Sequence, residues 1–338
     1  MTDDELTTTD VLTDPTKNLC NLYQNNQDLD DHEADIIALH DNEYYTESEF
    51  IDFLETRNYT DKNHITVLSI NIANLISKLQ SLKNFLSHLA FKGNRPDVIV
   101  IVESHIPEDE AGHSKEELAN IVPGYMFFHR GRRVKKGGGV GVLVSKDLKS
   151  EPSICHKSQD RIGYHEESFE NIVVRIPKLI SRSGCNSSKD LVVAAIYRQP
   201  NSQTVETFLE CTERLMKTID KSNSELLIAG DMNLDLLKFE NHLPTSRYLD
   251  IMTNHRVLPR ITRPTRIKNK SATLIDHIFT RDNEITLTSG ILDLELAGNC
   301  GYTDHKPVFT ILRAQVSRKE SNRKIRVSYF TSPRVIEG

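Results

Sequence analysis

The pattern of apolar and polar positions changes at Ile65. From there on, short apolar runs bounded by turn residues are mixed with longer amphipathic stretches. Short apolar runs predict buried strands, and apolar residues three or four positions apart predict helices that cover a sheet. The predicted strands are 65–71, 97–103, 125–129, 139–145, 171–176, 191–197, 225–231, 274–279, 287–292 and 306–312. The predicted helices are 76–91, 204–219 and 245–254. So many strands with so few helices between them favour an α/β domain of two packed sheets with helices outside.

The first 60 residues follow a different pattern. Residues 1–42 are rich in Asp, Asn and Thr without sustained apolar periodicity, which predicts an acidic disordered segment. Within 43–60, Thr46 and Glu49 have capping-box spacing, which predicts one short helix docked on the domain, followed by a linker. The rest of the chain is predicted to form one domain, residues 61–315, followed by a basic tail, residues 316–338. Within the domain, residues 177–190 are polar and are predicted to be a mobile insert.

Composition indicates a soluble protein of a reducing compartment. No apolar stretch reaches the roughly 18 to 20 residues of a membrane span, and the N-terminus is acidic where a secretory signal would be basic and then apolar. Cysteines occur singly without a C-x-x-C pair, so neither a zinc site nor a disulfide framework is indicated. They are Cys20, Cys155, Cys185, Cys211 and Cys300. We therefore expect an intracellular location, in the cytoplasm, the nucleus or both.

The overall charge of −6 hides an uneven distribution. Residues 1–60 hold 16 Asp and Glu against 2 Lys and Arg, a net charge of −14, which leaves +8 on residues 61–338. A basic domain favours a polyanionic partner, because binding neutralises phosphates and releases their counterions. The same charge would also suit an ordinary solvated surface, so it does not select a partner by itself.

Polar residues stand at the ends of several predicted strands. Asn71, Glu103 and Asp231 each end an apolar run, and Asp276 and the pair Asp304-His305 lie near two others. A single carboxylate in such a place is more often a cap or turn residue. Several together could converge, and phosphodiester hydrolysis needs the hard oxygen ligands, the base and the hydrogen-bond donors that this set contains.

These residues, in this order, resemble the endonuclease/exonuclease/phosphatase superfamily, which includes deoxyribonuclease I and apurinic endonucleases. The ordered set is Asn71, Glu103, Tyr197, Gly230-Asp231-Met232-Asn233, Asp276 and Thr303-Asp304-His305. Within the superfamily, the chain most resembles the reverse-transcriptase-associated endonuclease domain of non-LTR retrotransposons. That closer resemblance lies in the stretches 137–142, 197–200, 264–266 and 271–279. The resemblance covers roughly 65–312 and implies a deoxyribonuclease I-like fold, a four-layer sandwich of two mixed β-sheets flanked by helices.

The resemblance also implies a role for each matching residue. Glu103, with Asp304 near it, would bind Mg²⁺, for which Mn²⁺ is an alternative. Asp231 would accept a proton from the attacking water, while Asn71 and Asn233 would position the phosphate and that carboxylate. Asp276 would hold His305, and Tyr197 and His305 would contact the phosphoryl oxygens.

Two positions depart from the superfamily pattern. Ala73 stands where repair members carry an Asp two residues after the first Asn, so a second metal ligand is missing. We interpret this change as a mark of the retrotransposon subfamily and not as a loss of activity. Thr303 replaces the usual Ser before Asp304-His305, which keeps the hydroxyl.

Two basic stretches are candidate DNA contacts, although solvated loops are the commoner fate of such runs. The first contains Arg130, Arg132, Arg133, Lys135 and Lys136. The second contains Arg260, Arg263, Arg266, Lys268 and Lys270, and Arg198 adds a cation beside Tyr197. From these stretches we predict that Arg130, Arg132, Arg133, Lys135, Lys136, Arg198 and Arg266 contact nucleic acid.

The sequence thus predicts Mg²⁺-dependent nicking of DNA, with duplex DNA favoured and neither a membrane nor a protein partner indicated. One alternative is another phosphodiesterase or phosphatase of the superfamily, acting on RNA, an inositol phosphate or a lipid. A second alternative is a domesticated domain that binds nucleic acid or protein without cleaving it. The complete set of catalytic residues argues against that second alternative.

Overall fold

The computed structural model describes most of the domain and leaves both ends aside. The described residues are 42–57, 59, 63–108, 115–155, 163–181, 188–220, 222, 224–268, 271–281, 285–294 and 303–315. The predicted acidic segment, up to residue 41, and the predicted basic tail 316–338 lie outside them.

Strands outnumber helices, as the apolar pattern predicted. The strands are β1 Tyr44–Tyr45, β2 His64–Asn71, β3 Val98–Val102, β4 Tyr125–Arg130, β5 Val140–Ser145, β6 Ser153–Ile154, β7 Glu170–Ser181, β8 Ser188–Tyr197, β9 Glu225–Asp231, β10 Leu258–Pro259, β11 Arg266–Lys268, β12 Ser271–Thr273, β13 Asp276–Thr280, β14 Thr286–Leu292 and β15 Val308–Arg313. The helices are α1 Glu47–Thr56, α2 Leu75–Phe91, α3 Lys115–Ala119, α4 Val205–Ile219 and α5 Leu243–Asn254, with 3₁₀ turns at Ser202–Thr204 and Leu236–Lys238.

Two mixed sheets form the centre of the molecule. The first has seven strands in the order β1-β14-β15-β2-β3-β5-β4, and the second has six in the order β10-β13-β9-β8-β7-β6. A separate hairpin, β11-β12, stands outside both. The central strands are buried along most of their length because both faces of each sheet are covered. Val98–Val102, for example, is buried at every position.

The core has a layer on each side of the sheets. Residues of both sheets form one apolar cluster, which helices α4 and α5 join through Phe208 and Tyr248. A second cluster packs α1 and α2 on the outer face of the first sheet, where Phe50 and Phe85 contribute. The order is therefore helix, sheet, sheet, helix, which confirms the four-layer sandwich that the sequence resemblance implied.

The predicted mobile insert 177–190 is wrong at both of its ends. Strand β7 continues to Ser181 and β8 begins at Ser188, across an irregularity in register between Ile176 and Ile180. The polar side chains misled the prediction, because backbone hydrogen bonds extend a strand even where its side chains face water. Residues 182–187 lie outside the described part of the chain.

The segment 43–60 is more closely joined to the domain than the predicted helix and linker would be, because it also contributes a strand to the first sheet. Helix α1 begins with the predicted capping box, in which Thr46 and Glu49 each bond the other's backbone N–H. Ahead of it, β1 pairs in parallel with β14 and so forms the edge of the first sheet. The buried Asn42 side chain donates to the carbonyls of Arg260 and Ser289, both at 3.0 Å.

Candidate active site

The topology brings the predicted strand-end residues to one edge of the sandwich. Strands β2 and β3 run in parallel with Asn71 opposite Val102, so Glu103 follows directly beside Asn71. In the second sheet β8 and β9 are also parallel, with Tyr197 opposite Asp231. The carboxyl ends of these two parallel pairs therefore meet above the core.

The side-chain amide of Asn71 joins the two sheets. Its Nδ2 atom donates to Glu103 Oε1 at 2.9 Å and to Asp231 Oδ2 at 3.0 Å. An amide nitrogen carries two protons, so one group can serve both carboxylates. Asn71 thus fixes the separation between the carboxylate of the first sheet and that of the second.

Asp231, Asp276 and His305 form a nearly dry cluster. Asp276 lies opposite Asp231 on the antiparallel strand β13, and His305 Nδ1 approaches Asp276 Oδ2 at 2.9 Å and Asp231 Oδ2 at 3.8 Å. Asp231 and Asp276 are only 1% and 4% exposed. One ligand atom from each member lies within 4.8 Å of the others, so the cluster could hold either a proton or an ion.

The charges in this cluster shift one another. Burial alone would lower the pKa of His305, but Asp276, Asp231 and Asp304 outweigh it and raise the pKa to about 9. Burial and the neighbouring Asp276 raise the pKa of Asp231 well above that of an ordinary carboxyl, while His305 opposes them. His305 is thus held as a cation at neutral pH, next to a carboxylate with a raised proton affinity.

Glu103 lies in a wetter and more hydrogen-bonded place. Burial alone would raise its pKa, but hydrogen bonds from His105, Asn71 and Tyr197 lower it, so the carboxylate is ionised. Burial, followed by the charges of Glu103 and Asp231, raises the pKa of the Tyr197 phenol far above its usual value. Tyr197 is therefore a neutral hydrogen-bond donor to Glu103.

Asp304 is paired with the hairpin β11-β12. Arg266 Nη2 lies 2.7 Å from Asp304 Oδ2, and Lys268 Nζ lies 3.5 Å from the same oxygen. Burial would raise the pKa of Asp304, but Arg266 holds it below its usual range. The predicted metal ligand Asp304 and the predicted DNA contact Arg266 are thus partners of each other at the edge of the site.

Thr303 uses the hydroxyl that the sequence comparison expected it to keep. Its Oγ1 atom donates to the His305 carbonyl at 3.0 Å and accepts from the His305 N–H at 3.3 Å. These bonds form a tight turn that sets the backbone of His305.

Arg198 is structural and does not reach the surface. It is 3% exposed, and its guanidinium donates to the carbonyls of Met232 and Asn233 at 2.8 and 2.6 Å. The Asn233 side chain returns a bond from Nδ2 to the Arg198 carbonyl at 2.7 Å. The prediction that Arg198 contacts DNA is therefore wrong, and its role is to hold the loop that carries Asp231 and Asn233.

Arg132 is also turned inward, whereas its neighbours are not. It is 5% exposed and forms an ion pair with the fully buried Glu170. A guanidinium in this position cannot contact a DNA backbone, so this prediction is wrong as well. Arg130 is half-buried with its guanidinium 4.1 Å from the centre of the Tyr164 ring. Arg133, Lys135 and Lys136 remain exposed.

Residues that the sequence reasoning did not assign also support the site. The buried Thr265 donates from Oγ1 to Asp276 Oδ2 at 2.8 Å. His105 Nε2 lies 3.4 Å from Glu103 Oε2, and its position two residues after Glu103 was the available signal. Thr265 had only its place between Pro264 and Arg266 as a signal.

Left-handed backbone is concentrated around the catalytic edge. Glu103, His105 and Asn233 have φ values of 54°, 55° and 48°, and Ala73 and Asn74 follow Asn71 at 42° and 95°. Non-glycine residues avoid this region because the side chain crowds the backbone, at a cost of order 1–3 kcal/mol each. The surrounding hydrogen bonds must therefore hold these loops in place.

A cavity opens beside the candidate catalytic residues. It has a volume of about 300 Å³ and is lined by Asn71, Asp304 and His305, by Lys78, and by apolar side chains that include Ile267.

Within the described ranges, no helix is both long enough and apolar enough to cross a membrane.

Comparison with known proteins places this arrangement in a family. The profile of the endonuclease/exonuclease/phosphatase family matches residues 68–305, so the chain belongs to that family of hydrolytic nucleases and phosphatases. A search of curated proteins gave no match.

Several solved structures share the fold. The catalytic domain of Xenopus laevis APE2 is 16% identical with a TM-score of 0.55, covering 76% of this chain and 94% of that one. The AP endonuclease LMAP from Leishmania major is 14% identical with a TM-score of 0.56, covering 74% and 88%. The endonuclease domain of TRAS1, a telomere-specific non-LTR retrotransposon, is 13% identical with a TM-score of 0.52, covering 75% and 99%. Identities of this size show a common fold alone.

Proposed function

We propose that this chain is a Mg²⁺-dependent endonuclease that nicks duplex DNA, as expected of a retrotransposon endonuclease domain. The observation that carries the proposal is the Asn71 amide, which holds Glu103 and Asp231 on either side of one edge. This arrangement places Glu103, which would bind the cation, beside Asp231, which would accept a proton from the attacking water. Hydrolysis of a phosphodiester requires both.

Each side chain of the dry cluster has a property that suits proton transfer and charge stabilisation. Asp231 has a raised proton affinity, and a base is most effective when its pKa lies near the working pH. The His305 imidazolium, oriented by Asp276, can donate from its other nitrogen to a phosphoryl oxygen that gains charge. The Tyr197 phenol supplies a second, neutral donor.

Glu103 fits a hydrated Mg²⁺ better than the dry cluster does. Mg²⁺ prefers hard oxygen ligands and keeps several of its waters, which requires open space. The Glu103 side chain is 22% exposed and ionised, whereas Asp231 is 1% exposed and its cluster already includes a cationic imidazole. Glu103, with Asp304 in support, would hold the ion, which when bound would neutralise charge on the phosphoryl and leaving oxygens.

The surface beside the site favours a polyanionic substrate. Arg133, Lys135 and Lys136 are exposed on the loop before β5, and residues 61–338 carry a net charge of +8. The fold is shared with an AP endonuclease and with a retrotransposon endonuclease domain. These observations support DNA over a small phosphate ester.

Nicking of supercoiled plasmid tests the proposal. We expect Mg²⁺, or Mn²⁺ in its place, to convert the plasmid to open circles, and chelation of the ion to stop the reaction. Activity that persists with chelator would overturn the metal mechanism. Hydrolysis of RNA, inositol phosphates or lipids with plasmid untouched would overturn the DNA assignment, and binding of plasmid without cleavage of any substrate would favour a domesticated binding domain.

A further inference from the structure

The buried carboxylate of Glu170 has no direct part in the proposed chemistry, yet it lies at the centre of a network that ends at Glu103. It is 0% exposed, and both of its oxygens accept hydrogen bonds. Arg132 Nε and Nη2 donate to Oε1 at 2.8 and 2.5 Å, and the Gly139 N–H donates to Oε2 at 2.7 Å. A buried ion pair often adds little stability by itself, because the cost of taking both charges out of water offsets their attraction.

The first link runs from Glu170 through the glycine loop to Glu103. Gly138 and Gly139, at φ values of +61° and +86°, accept hydrogen bonds from the backbone of His105 at 2.8 Å and Ser104 at 3.2 Å. Those two residues directly follow Glu103 in the left-handed turn. The carboxylate that fixes Gly139 therefore also fixes the turn that aims Glu103.

The glycines are required by this close approach. A side-chain Cβ at Gly138 would lie 2.4 Å from both Arg132 Nε and Glu170 Oε2. At Gly139 it would lie 2.4 Å from Ser104 Oγ. The loop, the ion pair and the Glu103 turn are thus packed with no space for a larger residue.

The second link runs along the sheet. Glu170 is the register partner of Tyr197 across β7 and β8, and Tyr197 in turn bonds Glu103. Two routes therefore lead from one buried ion pair to the same carboxylate. Arg132 also donates to the carbonyl of Lys136 at 3.2 Å, which joins the exposed basic loop to the same unit.

We infer that Glu170, held by Arg132, is a positioning residue that sets Glu103 for the divalent cation. This inference rests on the proposed function, because it requires the ion to bind at Glu103. It predicts that neutralising Glu170 weakens cation binding although Glu170 itself does not contact the cation. Outer residues that orient metal ligands typically change metal affinity by about 10 to 100-fold when substituted.

The experiment measures Mn²⁺ binding directly, by the electron paramagnetic resonance signal of the free ion, in the full chain without DNA. We expect Glu103→Gln to weaken binding by at least about 10-fold and Glu170→Gln by about 10-fold. The matched control is Glu225→Gln, which removes a 1% exposed carboxylate paired with Lys189 at the opposite end of β9. This control should bind Mn²⁺ within about 2-fold of the wild type.

Hydrogen exchange gives a second readout that does not depend on a metal. In Glu170→Gln the amides of residues 103–106 and 137–139 should exchange faster, with little change in α4 or α5. If Glu170→Gln does not fold, Arg132→Lys keeps the charge but loses the paired donors, and the same loss of protection with weaker Mn²⁺ binding is expected.

The outcomes separate the inference from the function on which it rests. Weakened binding in Glu103→Gln with unchanged binding in Glu170→Gln overturns the inference and leaves the proposed cation site standing. Unchanged binding in Glu103→Gln overturns both. Unchanged Mn²⁺ binding in Glu170→Gln with weaker binding of DNA in chelator would show that the ion pair shapes only the basic loop, and would also overturn the inference.

Discussion

The two halves of the catalytic edge differ in how much water reaches them. On the second sheet, Asp231 and Asp276 are 1% and 4% exposed around the His305 imidazole. At the other half, the side chains of Glu103 and Asp304 are 22% and 29% exposed, and the pKa of each is lowered. A dry site enlarges pKa shifts, while a wetter one keeps carboxylates ionised. Under the proposed function, we therefore expect the dry half to take up the proton and the wet half to hold the cation.

Asp231→Asn should have the largest effect, because it removes the proton acceptor of the dry half. We expect kcat for plasmid nicking to fall by roughly 10² to 10⁴-fold at any Mg²⁺ concentration, with partial recovery only at raised pH, where hydroxide is more abundant. Steady-state nicking rates across a Mg²⁺ titration provide the measurement. Recovery by added metal would mean that Asp231 belongs to the cation-binding half.

Glu103→Gln should behave differently, because it weakens a ligand and leaves the base in place. We expect the Mg²⁺ concentration for half-maximal rate to rise by about 10 to 100-fold, with part of the rate restored at high Mg²⁺. The same titration measures it, and Asp231→Asn is the matched variant from the dry half. A rate that stays at the background level at every metal concentration would contradict the assigned division.

The charge on His305 should appear as a dependence of folding stability on pH. Its pKa is about 6.5 when unfolded and about 9 when folded, so its contribution is complete below pH 6.5 and is lost as pH rises through 9. Relative to His305→Gln, the wild-type free energy of unfolding should therefore fall by on the order of 3 kcal/mol between pH 6.5 and 9. Urea unfolding of both proteins without metal measures the difference.

His129 provides the control of opposite sign. Burial lowers its pKa to about 4, so the unfolded chain takes up the proton first as pH falls. Relative to His129→Gln, the wild type should lose stability from pH 6.5 towards pH 4 and show no change between pH 7 and 9. If both variants instead follow the wild type in parallel at every pH, neither imidazole has the charge state assigned to it.

Neutralising the exposed part of the basic loop should have the smallest effect, on binding and not on chemistry. We expect the triple change of Arg133, Lys135 and Lys136 to Ala to reduce the slope of log affinity against log salt by about 2 to 3, since each lost phosphate contact removes about 0.9. Fluorescence anisotropy of a duplex in chelator, over a range of salt, measures the slope.

A matched triple change tests whether position matters as well as charge. Lys92, Lys149 and Lys217 are exposed and follow or end elements that run away from the catalytic edge. Their change to Ala removes the same charge from the opposite side, and the slope should stay close to that of the wild type. Equal slopes for the two triple variants would show that the basic loop is a solvated surface that does not contact the DNA backbone.

The sequence was informative where function follows from strand ends. A polar residue that directly follows an apolar run lies at the carboxyl end of a buried strand. Because parallel neighbouring strands end on the same side of a sheet, the convergence of Asn71, Glu103 and Asp231 could be predicted from the sequence. The helix α1 and its capping box were predictable for a similar local reason. The pairing of β1 with β14 was not, because it joins residues more than 240 positions apart.

The least predictable feature was whether a given Arg or Lys side chain points into the protein or towards solvent. Arg132 and Arg133 are adjacent and chemically identical, yet the first is buried against Glu170 and the second is exposed. Their fate depends on a carboxylate 38 residues further along the chain, which no local pattern reveals. The same limit explains why Thr265 and Glu170 were not recognised as supports of the site.

The Asn71 bridge has a mechanical consequence. Its bond to Glu103 stays within the first sheet and its bond to Asp231 crosses the seam to the second sheet. The geometry of the candidate site therefore depends on how the sheets sit against each other and not only on how well either sheet is formed. A small slide of one sheet would break a bond at the seam while every strand kept its neighbours. Hydrostatic pressure or mild denaturant should therefore silence the enzyme while far-ultraviolet circular dichroism, which reports the strands, is still unchanged.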